Sequence, residues 1–325
     1  MKEINFLQKN KSEWEIVEKF IGGNLKLTPD ELKSAYTNLI DALSYSRTFY
    51  PLSKTTLYLN DLALKVHSKV YSKGKFDISD FKRFWVKELP LIMYESRKEL
   101  LISFSIFVIG MLIGLISTKY DDSFVRVVLG SEYVNMTLKN IEKGDPMAVY
   151  KSANGIDMFL GITLNNIMVS FKTFSFGLLS ALGTAFVLFQ NGVMLGTFQQ
   201  FFIEKGLFWE SFRTVWIHGT LEISAIIIAG AAGIIIGNSF LFPGTYTRLV
   251  SFQRGAVRGV KIALGLVPVF IAAGFLEGYV TRLTELPDVF NLFIIILSLI
   301  FVIWYFVIYP VKIYKRSIYG ELIHS

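Results

Sequence analysis

The chain has 325 residues, of which 52% are hydrophobic, 15% aromatic and 18% charged, against roughly a quarter charged in soluble domains. Residues 1–99 hold 17 Lys/Arg and 13 Asp/Glu, while the rest of the chain holds 16 and 13. That balance argues against a soluble globular enzyme and for an all-α, polytopic membrane helix bundle behind a charged N-terminal helical head. With no cysteine, disulfides, Cys–zinc sites and thiol catalysis are excluded.

The opening MKEINFLQKNKSEWE is too charged for the apolar region of a signal peptide, so the head, residues 1–99, is expected to stay on the side where it was made. Thr28-Pro29-Asp30-Glu31 reads as a helix start, with a capping threonine, proline at the first helical position and glutamate at the third. Leu32, Ala35, Tyr36, Leu39 and Leu43 continue it as one buried stripe, which Pro51 ends. A second helical stretch runs through Leu62, Val66 and Val70 to a turn at Gly74. Asp77-Ile78-Ser79-Asp80 opens a third, with Phe81, Phe84 and Trp85 beside Lys82, Arg83 and Lys87. This segment, near 78–98, either lies at the lipid headgroups or packs its aromatics on the other two helices. Nothing in the head resembles a catalytic arrangement.

A membrane span needs about 20 mostly apolar residues. Candidates lie at 100–118, 174–202, 213–240, 262–280 and 289–310, and a shorter sixth, 156–171, carries Asn165 and Asn166. Basic residues near span ends mark the cytoplasmic side. Arg97 and Lys98, the acid-free segment 241–261, and Lys312, Lys315 and Arg316 in the tail 311–325 all agree on cytoplasmic termini if there are six spans. The loop 119–154, with five basic and five acidic residues, is then outside. The asparagines of the short span should face other helices, because amides in lipid need partners. Lys172 is most simply a cytoplasmic charge.

Segment 241–261 breaks at Phe242-Pro243-Gly244, then sets Arg248, Arg254, Arg258 and Lys261 on one broad helical face. It reads as an interfacial helix touching anionic lipid. Without an aromatic stacking pattern it makes no nucleic-acid site. Glycines recur four apart at Gly110/Gly114, Gly192/Gly196, Gly233/Gly237, Gly255/Gly259 and Gly274/Gly278, with Gly230 among Ala229, Ala231 and Ala232. Such spacing lets helix backbones approach closely, either within one bundle or across a homodimer seam.

Ionisable residues inside spans are functional candidates. His218 and Glu222 lie one turn apart on one helix face. HGTLE lacks the second histidine of a HExxH zinc site, and His67, His218 and His324 are scattered. No metal or other cofactor is therefore expected. A proton relay, a polar ligand contact and a structural hydrogen bond to Asn165, Asn166 or Asn191 remain open for the pair. Glu277, in AAGFLEGYV, either snorkels to the interface or meets His218 or Arg213 across the bundle.

Asn165-Asn166, Phe176-Gly177, Asn191-Gly192-Val193 with Gly196, His218-Gly219 with Glu222, the AGAAG run 229–233 with Gly237, and Glu277-Gly278 resemble, in order, the stage II sporulation protein M family. The resemblance covers about residues 80–310. It implies an all-helical protein of the bacterial or archaeal inner membrane without known enzymatic activity. Its sporulation namesake is similar to a scaffold for peptidoglycan-remodelling enzymes, while relatives elsewhere are often encoded near MoxR-type ATPases. The leading expectation is a non-enzymatic scaffold, a homodimer in contact with membrane lipid, that recruits envelope-remodelling enzymes or a MoxR-type ATPase system. The alternative is a transporter or lipid-handling protein using His218, Glu222 and Glu277.

Overall fold

The computed structural model describes residues 2–71, 78–151, 155–283 and 287–323. These are helical throughout apart from their connections. The chain divides into two compact units, Met1–Phe81 and Lys82–Ser325. The expected head of 1–99 is therefore shorter by the segment that follows Phe81.

The first unit holds α1 (Glu3–Ile21), α2 (Pro29–Phe49) and α3 (Lys54–Tyr71). The capping box at Thr28 forms as read: Glu31 N donates to Thr28 Oγ1 at 3.3 Å, and Thr28 N donates to Glu31 Oε2 at 2.8 Å. Those bonds satisfy helix-start donors, and donation from Thr28 N and then Thr28 Oγ1 to the carboxylate holds the Glu31 carboxyl below its ordinary pKa. Leu39 and Leu43 of α2 and Leu62 and Val66 of α3 are buried as their spacing predicts. The core is completed by Phe6, Trp14 and Val17 of α1, a helix that periodicity did not reveal because those three sit among seven charged residues. Gly74 and Asp77 lie outside the described residues.

The chain resumes in α4 (Ile78–Arg83), a π-helical turn (Phe84–Glu88) and α5 (Leu89–Glu95). Phe84 and Trp85 are half-buried in the second unit. They pack against the core of the second unit, where Tyr305 donates to the Trp85 carbonyl at 2.8 Å. A π turn leaves carbonyls without their usual helical partners, and the tyrosine hydroxyl fills that need.

The membrane unit continues with α6 (Arg97–Tyr120), then α7 (Phe124–Leu129) and α8 (Ser131–Glu142), which fold the expected 119–154 loop into short helices. Val125, Val134 and Met147 there share a small core with Phe201 and Phe202. Next come α9 (Gly155–Leu179), α10 (Ala181–Glu204), α11 (Phe208–Leu241), α12 (Arg248–Phe275, continued by a π turn to Val280), α13 (Asp288–Ile303) and, after a further π turn, α14 (Tyr309–Ile323). Five of these helical stretches are long and apolar enough to cross a membrane: Arg97–Tyr120, Ala181–Glu204, Phe208–Leu241, Arg248–Val280 and Asp288–Ile318.

Two boundaries differ from the hydropathy reading. The expected span 174–202 is cut at Ser180, whose extended backbone ends α9 and whose hydroxyl caps α10 by accepting from Gly183 N at 3.2 Å. The short segment 156–171 thus belongs to a 25-residue helix, α9. Segment 241–261 is not a separate interfacial helix: from Arg248 onward it is the first part of α12, with Gly255 and Gly259 buried.

Helix α11 is the axis of the unit, with Ile217 to Gly237 almost entirely buried. The outward faces of α6 and α13 are apolar (Leu101, Phe104 and Ile116; Phe293, Ile296 and Ile300), as lipid contact requires. Within the unit, Gly110 and Gly114 of α6 interlock with Gly192 and Gly196 of α10. A Cβ at any of these four would overlap a backbone carbonyl of the facing helix: that of Phe189, Val193, Phe107 or Met111.

Candidate functional site

The axial helix α11 carries His218 and Glu222, and the π turn at the end of α12 carries Glu277. That turn is set by Thr281 N donating five residues back to Leu276 O at 2.8 Å. Such bulges re-aim side chains and recur at functional sites. Here one ligand atom from each of His218, Glu222 and Glu277 comes within 4.8 Å of the other two. His218 Nε2 lies 3.6 Å from Glu277 Oε2, so of the two partners open to Glu277 the structure selects the histidine. Arg213 instead pairs with Asp288, to which Trp209 Nε1 also donates at 2.9 Å.

His218 is buried at 4% exposure and its other nitrogen, Nδ1, is 3.1 Å from Thr281 Oγ1. The Thr281 hydroxyl donates to the Leu276 carbonyl at 3.2 Å. Its proton is thereby used, so Nδ1–H donates to Thr281 and the Nε2 lone pair is directed at Glu277. Thr281 was absent from the sequence reading, though its spacing of four from Glu277 on the same helix was a visible signal.

A cavity of about 410 Å³ opens beside these groups, lined by Asn165, Asn191, His218, Glu222 and Glu277 among apolar side chains such as Phe107 and Ile226. Val128, Leu129 and Tyr133 of α7 and α8 line it as well, so the folded 119–154 segment helps to build the site. Gly219 leaves the cavity open, because a Cβ there would meet only Ile223 and Val215 of its own helix. Asn191 donates to Val187 O of its own helix at 2.8 Å. Asn166 does not line the cavity. It is buried, and its amide faces the Glu222 carboxyl. The six predicted polar residues thus gather in one place, able to hold a proton, a cation or a polar ligand group.

The predicted seam glycines all meet partners in their own chain: Gly192 and Gly196 on α6, Gly230 on Leu188 and Ser103, Gly233 on Thr184 and Thr173, and Gly237 on Ala181. The basic residues divide. Arg258 contacts Glu95 at 3.4 Å and Lys261 contacts Glu88 at 3.0 Å, whereas Arg254 and Arg248 lie over the rings of Tyr246 and Phe240. The hydrogen bond from Lys261, with help from Arg83, holds the Glu88 carboxyl below its ordinary pKa.

Comparison with known proteins adds two matches. A domain of unknown function (DUF8413) matches residues 4–72, the three-helix head. The family model for stage II sporulation protein M matches residues 103–282, from α6 through the π turn that carries Glu277. No curated protein and no solved structure matches. Because the match takes in more than half of the chain and every helix that contributes to the cavity, the protein belongs to the stage II sporulation protein M family.

Proposed function

We propose that this chain is a non-enzymatic scaffold of the bacterial or archaeal cytoplasmic membrane, with head and termini on the cytoplasmic face and α9 as a sixth crossing. The division of the molecule carries this reading. A head with its own aromatic core and its own family match precedes a bundle whose helices interlock at backbone contact. Such a bundle is a rigid platform, and a separately folded head is suited to gripping a partner. Scaffolding of peptidoglycan-remodelling enzymes in the family makes envelope enzymes, or a MoxR-type ATPase, the partner class. The test is purification of the tagged chain from its own host in mild detergent, with and without residues 1–81. Stoichiometric recovery of a cell-wall hydrolase or an ATPase that disappears with the head supports the scaffold. Recovery of the chain alone, as a defined oligomer with retained lipid, counts against it.

The polar cavity favours a second reading, transport or lipid handling through His218, Glu222 and Glu277. Liposomes carrying the wild type would then move protons, ions or lipid faster than liposomes carrying Glu222→Gln. Equal rates would remove that reading's support.

A further inference from the structure

We infer that His218, Glu222 and Glu277 form a binding site for one divalent transition-metal cation of the zinc or manganese class. The inference stands apart from both readings of function, since a scaffold and a transporter can each hold an ion.

The argument begins with charge. Two carboxyl groups and the lone-pair face of an imidazole converge where ligand atoms lie within 4.8 Å of one another. Among the described residues that line the cavity none is Lys or Arg. Buried carboxylates that face one another and an imidazole lone pair are costly unless a proton or a metal cation joins them, and three converging donors let one cation serve all of them. The imidazole is already oriented for metal, because Nδ1–H is engaged by Thr281 Oγ1 and Nε2 faces Glu277 at 3.6 Å. A second hydrogen bond that fixes ring and tautomer is the usual support of a metal-binding histidine.

Geometry agrees. Donors at about 2.1 Å from a tetrahedral ion are about 3.4 Å apart, so the 3.6 Å separation of His218 Nε2 and Glu277 Oε2 is already close to one edge of such a site. Glu222, one helical turn from His218, supplies the third donor after a small side-chain rotation. An independent observation points the same way: Asn166 is 3% exposed, its amide faces Glu222 and its Nδ2 lacks a hydrogen-bond partner. A carboxylate that turned to share an ion would bring its second oxygen toward that amide. Three protein donors beside a cavity of about 410 Å³ leave a fourth position for water or a ligand group. One imidazole with two carboxylates suits zinc or manganese better than calcium, which takes six to eight oxygens.

The experiment uses the full chain, purified in detergent, stripped with a chelator and titrated calorimetrically with Zn²⁺ and then Mn²⁺, with metal content measured after dialysis. One ion per chain is expected in the wild type and in His67→Ala. Glu222→Gln and Glu277→Gln, which keep side-chain size, should each weaken binding at least tenfold at an unchanged gel-filtration profile. Thr281→Val, which removes no donor, should weaken it by about ten- to a hundredfold. No uptake by the wild type above a detergent blank overturns the site, as does wild-type affinity in the Glu222→Gln, Glu277→Gln double variant. Should a glutamine variant not be recovered folded, wild-type stoichiometry together with Thr281→Val decides.

Discussion

The head and the membrane bundle are held together in opposite ways. In the head, large side chains do the work: Phe6 stacks on Tyr45 at 5.1 Å, Trp14 meets Tyr58 at 5.9 Å, and Leu39, Leu59 and Val66 are almost wholly enclosed. In the bundle the tightest contacts are made where side chains are missing. Gly110, Gly114, Gly192 and Gly196 bring α6 and α10 to backbone distance, and Gly177 sets α9 against Gly233 of α11. Solvent explains the difference. Water drives apolar rings together in the head, whereas lipid is as apolar as leucine, so helices there must gain from close approach and from hydrogen bonds such as Ser103 Oγ to Ile227 O at 2.5 Å.

The most severe way to break that contrast is Gly196→Leu, whose side chain would drive into the Met111 carbonyl on α6. It should cost about 3 kcal/mol or more and abolish a monodisperse gel-filtration peak. Gly161→Leu, which projects into open space on α9, should leave thermal unfolding in detergent nearly unchanged. In the head the comparable injury is a cavity. Leu59→Ala, at a fully buried position, should cost about 2–5 kcal/mol, read as faster hydrogen exchange across residues 2–71. If exchange in the bundle rises equally, the two units are not independent.

The smallest effect concerns the ion pair between Glu88 and Lys261. Since the folded state lowers the Glu88 pKa, the pair stabilises above the ordinary carboxylate value of 4.5 and that stabilisation is lost as pH falls through the lowered one. Both side chains see solvent, so the contribution is under about 1 kcal/mol. Lys261→Met should reduce this acid-side dependence in thermal melts between pH 3 and 6, with Arg83 keeping the remainder, while a variant melting with the wild-type pH profile would show that the pair contributes nothing.

Capping chemistry and ionisable residues were the legible parts of the sequence. Thr28 and Glu31 announced α2, and His218, Glu222 and Glu277 stood out because charge in an apolar run has few innocent explanations. Averages of hydropathy hid what single residues decide. Ser180 sits in an uninterrupted apolar stretch, yet its extended backbone and capping hydroxyl separate α9 from α10. Trp85 could be assigned to the headgroup level or to the other head helices, because its partner, Tyr305, is supplied from the far end of the chain. The convergence of Glu277 on His218 needed a bulge that composition does not encode.

The length of α12 has a mechanical consequence. From Arg248 to Val280 it is one rod of 33 residues, about 50 Å, in a bilayer whose apolar core is about 30 Å. Arg258 and Lys261 clamp its first half to the α5 region, and Glu277 hangs from its last turn. Pro268 interrupts the rod between those two points, because proline supplies no backbone N–H to the helix ladder. Motion at Glu277 and motion at the clamp are thereby separated by a turn of the helix that is built to bend.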